Sequence, residues 1–173
     1  MLKKPALFGF LFLIAPFVAN CQDTILEVDL KAPPVFDFSS EIYIEQPPLL
    51  RHLQVLSADD MEGRQTGEKG NLKAQGYILE VLYSLKAPVA LQPFTFKRNG
   101  EELLGTNIIA TIKGYENPER FLAVTAHFDH VGIEKNNTGD FIFNGADDNA
   151  SGTSALLELV KYFKNHPPKN SIL

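Results

Sequence analysis

His127, Asp129, Asp147 and Asp148 are residues of the types, at the spacings, that hold divalent metal ions. One residue separates His127 from Asp129, so in extended backbone both side chains leave the same face. The carboxylate then accepts a proton from one ring nitrogen, fixes the tautomer and leaves the other nitrogen for a metal. Further on, Gly145-Ala146-Asp147-Asp148-Asn149-Ala150-Ser151-Gly152 packs two adjacent carboxylates between a glycine and a helix start. The partial positive charge of a helix N-terminus keeps such carboxylates ionised and ready to bridge two cations. Together the two motifs form the pattern of the first half of a two-metal hydrolase site.

These residues need elements to hold them. The apolar run Phe121-Leu122-Ala123-Val124-Thr125-Ala126 predicts a buried strand with His127 at its carboxyl end, where open α/β sheets bind their ligands. From Ser151 to Phe163, Leu156, Leu159, Val160 and Phe163 recur at helical spacing. Upstream, Leu49, Leu50, Leu53 and Leu56 mark a short helix that leads into the glycine-rich loop Gly63 to Gly70. That loop lacks the order of Gly and Lys that cradles phosphate. Ala74, Tyr77, Ile78, Val81, Leu82 and Leu85 trace the core face of a second helix, ending before Pro88. Leu91 to Lys97 and Leu103 to Lys113 read as strands joined by an Asn99-Gly100 turn, and Gly114 to Arg120 as a polar turn. The order helix, hairpin, strand, helix opens a mixed α/β/α sandwich of three layers.

The motifs resemble the co-catalytic zinc aminopeptidases of metallopeptidase family twenty-eight, a group that includes aminopeptidase Y and glutamate carboxypeptidases. The resemblance extends to Leu56-Ser57-Ala58-Asp59-Asp60-Met61-Glu62-Gly63-Arg64-Gln65-Thr66-Gly67-Glu68-Lys69-Gly70 and to Gly105-Thr106-Asn107-Ile108-Ile109-Ala110, so it runs from about Leu49 to Leu173. It implies the zinc exopeptidase fold, two zinc ions, His127 and Asp147 as metal ligands with Asp147 bridging, and Asp129 orienting the His127 ring. It also implies a cis peptide between Asp147 and Asp148. The family's general-base Glu and its remaining ligands follow later core strands, beyond Asn170-Ser171-Ile172-Leu173. The expectation is therefore the N-terminal part of a zinc peptidase domain over 49–173, truncated before those strands, lacking the base and inactive alone. No Glu present is assigned as the base, since Glu134 lies in a variable loop and Glu158 on the polar side of the last helix.

Other polar residues read as ordinary. His130 faces away from Asp129 and is taken as a rim residue, His52 and His166 as surface histidines, and the loop Val131 to Asn144 as a polar rim of the cleft.

The 173 residues suit one domain, and 45% hydrophobic content suits a globular fold. Lys3 and Lys4 precede an apolar run from Ala6 to Ala19, too short for a stable membrane span and right for a secretory signal over 1–21. Plain secretion to the periplasm or cell exterior is the favoured reading, with a lipid anchor at Cys21 as its alternative. Cys21 is the only cysteine, so no internal disulfide forms. Residues 22–48, broken by Pro33-Pro34 and Pro47-Pro48, read as a linker or arm. A formal charge of −5, more negative once Lys3 and Lys4 leave, makes nucleic acid a poor partner.

The sequence thus points to an exported zinc aminopeptidase acting on peptide N-termini. Two rivals stand beside it: a receptor-like relative without metals, which the retained His127, Asp129 and Asp147 oppose, and a di-zinc amidohydrolase or glutaminyl cyclase on the same scaffold.

Overall fold

The computed structural model describes residues 46–134 and 139–173. The leader, Cys21 and all but the last few residues of the expected arm lie outside them. Helix α1 spans Gln46–Leu56, so the arm gives way to helix before Pro48. Pro47 and Pro48 sit in its first turn, where their missing N–H groups have no intrahelical acceptor to lose. A short 3-10 turn, Asp59–Arg64, follows, then α2 over Lys69–Ser84. In α2 the buried positions Gly70, Asn71, Ala74, Ile78 and Leu82 repeat at helical spacing and form its inner stripe.

Strands β1 (Val89–Arg98) and β2 (Glu101–Ala110) make the expected hairpin, β1 extended at both ends and β2 starting two residues earlier than expected and stopping at Ala110, short of Lys113. They pair without a break from Val89 opposite Ala110 to Arg98 opposite Glu101. Asn99 at φ 55° and Gly100 at φ 86° put both turn residues in the left-handed region, as a two-residue hairpin turn with right-handed strand twist requires. Phe94 lies opposite Gly105, and a Cβ on that glycine would stand 2.3 Å from the Phe94 ring. The ring covers the backbone where no side chain can.

The next strand differs from expectation. It is β3, Asn117–Leu122, and it takes in part of the supposed polar turn. β3 pairs in parallel with β6, Asn170–Ile172. The pairing partner decides the strand's limits: Val124 N donates to Leu173 O at 2.9 Å, and beyond it residues 125–131 belong to no strand. His127 therefore sits in irregular backbone past a strand end, not at the last residue of the strand. The apolar run is not buried either, with Phe121 55% and Leu122 58% exposed.

Two short strands, β4 (Gly132–Ile133) and β5 (Ile142–Phe143), pair antiparallel inside the loop expected to be irregular. A π-type turn, Ala146–Ala150, then opens α3, Ser151–Asn165, which carries the chain from β3 over to β6 as a parallel crossover requires. Helices α1, α2 and α3 enclose a core of Leu56, Met61, Ala74, Ile78, Leu82, Ala87, Ala150 and Leu157. A largely apolar cavity of about 540 Å³ lies between α2, β2, α3 and residues 123–129. The α/β class and the mixture of parallel and antiparallel pairing are as expected, although among the described residues the strands form three two-stranded sheets.

Within α3 the fully buried residues are Thr153, Ser154, Leu157 and Glu158; Leu156, Leu159, Val160 and Phe163 are half-buried along the cavity. Glu158, expected on the polar side, is 5% exposed and lies 3.2 Å from His52 Nε2. His52 in turn takes the Tyr77 hydroxyl at 2.6 Å on Nδ1. A histidine expected at the surface thus ties α1, α2 and α3 together. His166 is exposed as expected and stacks on Tyr162.

Candidate metal centre

Irregular backbone at residues 123–131 brings His127 and Asp129 to one place. His127 Nδ1 lies 3.2 Å from Asp129 Oδ1, the approach read from their spacing. The other oxygen of Asp129 accepts from Thr66 Oγ1 at 2.8 Å, so the carboxylate is held from behind by the loop after the 3-10 turn. Thr153 Oγ1, near the start of α3, donates to His127 O at 3.0 Å and fixes the backbone on the other side.

The second carboxylate at the ring is Asp148, not Asp147. His127 Nε2 stands 3.1 Å from Asp148 Oδ1, and His130 Nδ1 stands 3.6 Å from Asp148 Oδ2. Asp147 is exposed, and its backbone oxygen accepts from Ser151 Oγ at 2.8 Å. The cis peptide also falls one residue later than expected, between Asp148 and Asn149. Asp148 (φ −113°, ψ 92°) leaves the helical region that Asp147 keeps, and this turns the second carboxylate, rather than the first, toward His127. His130, read as a rim residue, is only 15% exposed and flanks the same carboxylate.

Glycine and a cap shape this turn. Gly145, at φ 57°, would put a Cβ 2.5 Å from the His130 ring and 2.6 Å from Asp148 O, so only glycine allows that approach. Asn149 Oδ1 accepts the Gly152 amide hydrogen at 3.0 Å and satisfies one donor of the first turn of α3.

Behind the pair lies a residue whose side chain sequence reasoning passed over. Arg64 is fully buried, and its guanidinium donates to Phe128 O at 2.8 Å, Asn144 O at 2.6 Å, Gly145 O at 2.8 Å and Leu56 O. Burial pushes its pKa down, and the charges of Asp129 and Asp148 push it back up. Its one signal in the sequence is its place within the stretch Leu56 to Gly70 that carries the resemblance, and nothing local marks Arg64 as buried.

The geometry has a chemical consequence. A neutral imidazole has one N–H, so His127 can donate to one of its two carboxylates only. The contact between Nε2 and Asp148 Oδ1 calls for a cation between them, either a second proton or a metal ion. Two zinc–ligand bonds of about 2.0–2.1 Å at a tetrahedral angle set their donor atoms about 3.3 Å apart. The observed 3.1 Å and the pairing of imidazole with carboxylate fit zinc at these two donors. Among the described residues no group of three or more His, Cys, Asp or Glu side chains is arranged to hold a metal ion.

The α/β fold sets this imidazole and carboxylate side by side past a strand end. Residues 107–173 match the model of peptidase family M28. A probable zinc metalloprotease of Leptosphaeria maculans is 30% identical over 117 residues, which are 67% of this chain and 22% of that protein. The chain belongs to peptidase family M28. It spans less than a quarter of the length of that relative. The fold is shared with a leucine aminopeptidase precursor from Bacteroides thetaiotaomicron, at a TM-score of 0.62 and 23% identity over 75% of this chain and 45% of that one. It is shared equally with the glutaminyl cyclase of Fimbriiglobus ruber, at a TM-score of 0.62 and 24% identity over 75% of this chain and 43% of that one.

Proposed function

We propose that the chain carries part of the zinc centre of an exported exopeptidase that cleaves residues from peptide N-termini, with His127 and Asp148 as metal donors and Asp129 orienting the His127 ring. The observation that carries this reading is the placement of one imidazole between two carboxylates, Asp129 on Nδ1 and Asp148 on Nε2. In this reading Asp148, rather than Asp147, would be the carboxylate that holds the metal beside His127. When bound, the zinc pair supplies Lewis-acid activation of a water and of the scissile carbonyl. The chain's own part is to hold Nδ1–H on Asp129, keep the Nε2 lone pair aimed at the metal, and fix both through Thr66 and Thr153.

The scaffold also supports cyclisation of an N-terminal glutaminyl residue, because solved glutaminyl cyclases match it as well as an aminopeptidase does. Peptide hydrolysis is favoured, since the similar curated proteins are named for metalloprotease activity.

Zinc titration of the purified chain by calorimetry tests the metal reading. Wild type should bind zinc weakly, and His127→Ala and Asp148→Asn should each abolish the signal while Asp147→Asn retains it. A signal unchanged by His127→Ala and Asp148→Asn would place the metal elsewhere. Where the chain lies within a longer gene product, aminoacyl chromogenic and glutaminyl peptide substrates offered to that product separate hydrolysis from cyclisation.

A further inference from the structure

We propose that Arg64 is the positioning residue of the metal site: its buried guanidinium sets the spacing between the segment that carries His127 and Asp129 and the segment that carries Asp148. The inference rests on the reading of those two segments as metal-bearing. Arg64 is a hub between three stretches of backbone. Nε donates to the carbonyl of Phe128, between His127 and Asp129. Nη1 and Nη2 donate to the carbonyls of Asn144 and Gly145, immediately before the turn that directs Asp148 to the His127 ring. Nη1 also reaches Leu56 O at the end of α1.

The main chain of Arg64 joins the same network. Its carbonyl accepts from His130 N at 3.3 Å and from Asn71 Nδ2 at 3.0 Å. Neighbouring Gly63 lies so close to the β4–β5 pair that a Cβ there would stand 2.3 Å from Gly132 O and 2.7 Å from Phe143 O. The β4–β5 pair joins the two segments only beyond the residues that carry the site, at Gly132–Ile133 and Ile142–Phe143, and closer in the planar fork of one guanidinium spans Phe128 O, Asn144 O and Gly145 O where an ammonium cannot. All the hydrogen bonds recorded for the guanidinium go to main-chain oxygens, so it places backbone without competing for the carboxylates.

The test compares the full chain with Arg64→Lys and Arg64→Gly. Glycine suits the left-handed φ of 49° at this position, so that variant removes the side chain without backbone strain. Leu157→Ala serves as a control that loosens the core without removing any of these hydrogen bonds. Two quantities are measured: zinc affinity by calorimetry, and native-state amide exchange at His130 and Ala150, whose N–H groups donate to Arg64 O and Gly145 O. Both Arg64 variants should lose at least tenfold in zinc affinity and exchange His130 and Ala150 at least tenfold faster, beyond any change at core amides such as Ile78. Methylguanidinium added to Arg64→Gly should restore both, and methylammonium neither. Leu157→Ala should change exchange throughout the core with no selective effect at the two amides.

If the variants do not fold, the wild-type Arg64 Nε–H resonance decides, since it should shift with added zinc in step with the His127 ring. An Nε–H signal that stays fixed, or variants with unaltered affinity and exchange, overturn the proposal. Absence of zinc binding in wild type removes the metal reading alone, and the exchange and rescue measurements still judge Arg64.

Discussion

At the scale of single residues, the site turns on which of two adjacent aspartates reaches His127. Composition and order show that Asp147 and Asp148 are both present before a helix, and they show His127 and Asp129 one residue apart. They do not show the backbone turn that sends Asp148 to Nε2 at 3.1 Å and leaves Asp147 exposed. Asp148→Asn should therefore lower zinc affinity more than Asp147→Asn does, by at least tenfold in a competition titration against a chromophoric chelator. Asp129→Asn should cost about 10 to 100-fold, because it removes the negative charge of the acceptor that orients the ring without removing a donor to the metal. A larger loss for Asp147→Asn than for Asp148→Asn would return the donor role to Asp147. The His127–Asp129 contact was legible because it is local. Thr66 on Asp129 and Arg64 on Phe128 were not, because both come from far along the chain and depend on tertiary packing.

At the scale of elements, periodicity located α2, the β1–β2 hairpin and α3, because each carries its signal within one window. It misplaced β3, whose limits are set by pairing with Asn170–Ile172, and it misjudged Glu158, whose burial depends on His52 of α1. The His52 cluster makes the helix packing sensitive to pH. Burial lowers the His52 pKa, and it does so against Glu158, which raises it; Lys161 and Arg51 lower it further. Burial also raises the pKa of Tyr77, so its hydroxyl stays protonated and donates to Nδ1 while Nε2–H faces Glu158. The folded state thus binds the His52 proton less readily than the unfolded chain, whose histidine titrates near its ordinary value of about 6.5. The stability from neutral His52 is complete above that value and is lost as pH falls through the lower folded pKa. Thermal melts should show wild type losing stability below about pH 6.5 more steeply than His52→Gln, which cannot take up the proton. Parallel curves for the two proteins would exclude His52 as the titrating group. Tyr77→Phe, which removes one hydrogen bond to the ring, should cost about 1 kcal/mol at neutral pH.

At the scale of the whole molecule, two expectations concern surfaces rather than sites. The leader-like run from Ala6 to Ala19, after Lys3 and Lys4, predicts an exported product that begins past it. Mass spectrometry of the secreted or periplasmic protein should find it missing, whereas a cytoplasmic product with Met1 to Ala19 intact would remove the export reading. The second expectation concerns β3. It pairs with β6 on one side, and among the described residues no strand covers its other edge. Phe121 and Leu122 lie on it, 55% and 58% exposed, and Tyr115 just before it is 67% exposed. An open strand edge with large apolar side chains is a template for pairing with another chain. The chain alone should therefore associate as its concentration rises, seen as growing mass in sedimentation velocity. Leu122→Lys should suppress this without a lower melting temperature, since the side chain is mostly in water and a charge there opposes edge pairing. A wild-type chain that stays monomeric at high concentration would show that the β3 edge is protected in solution.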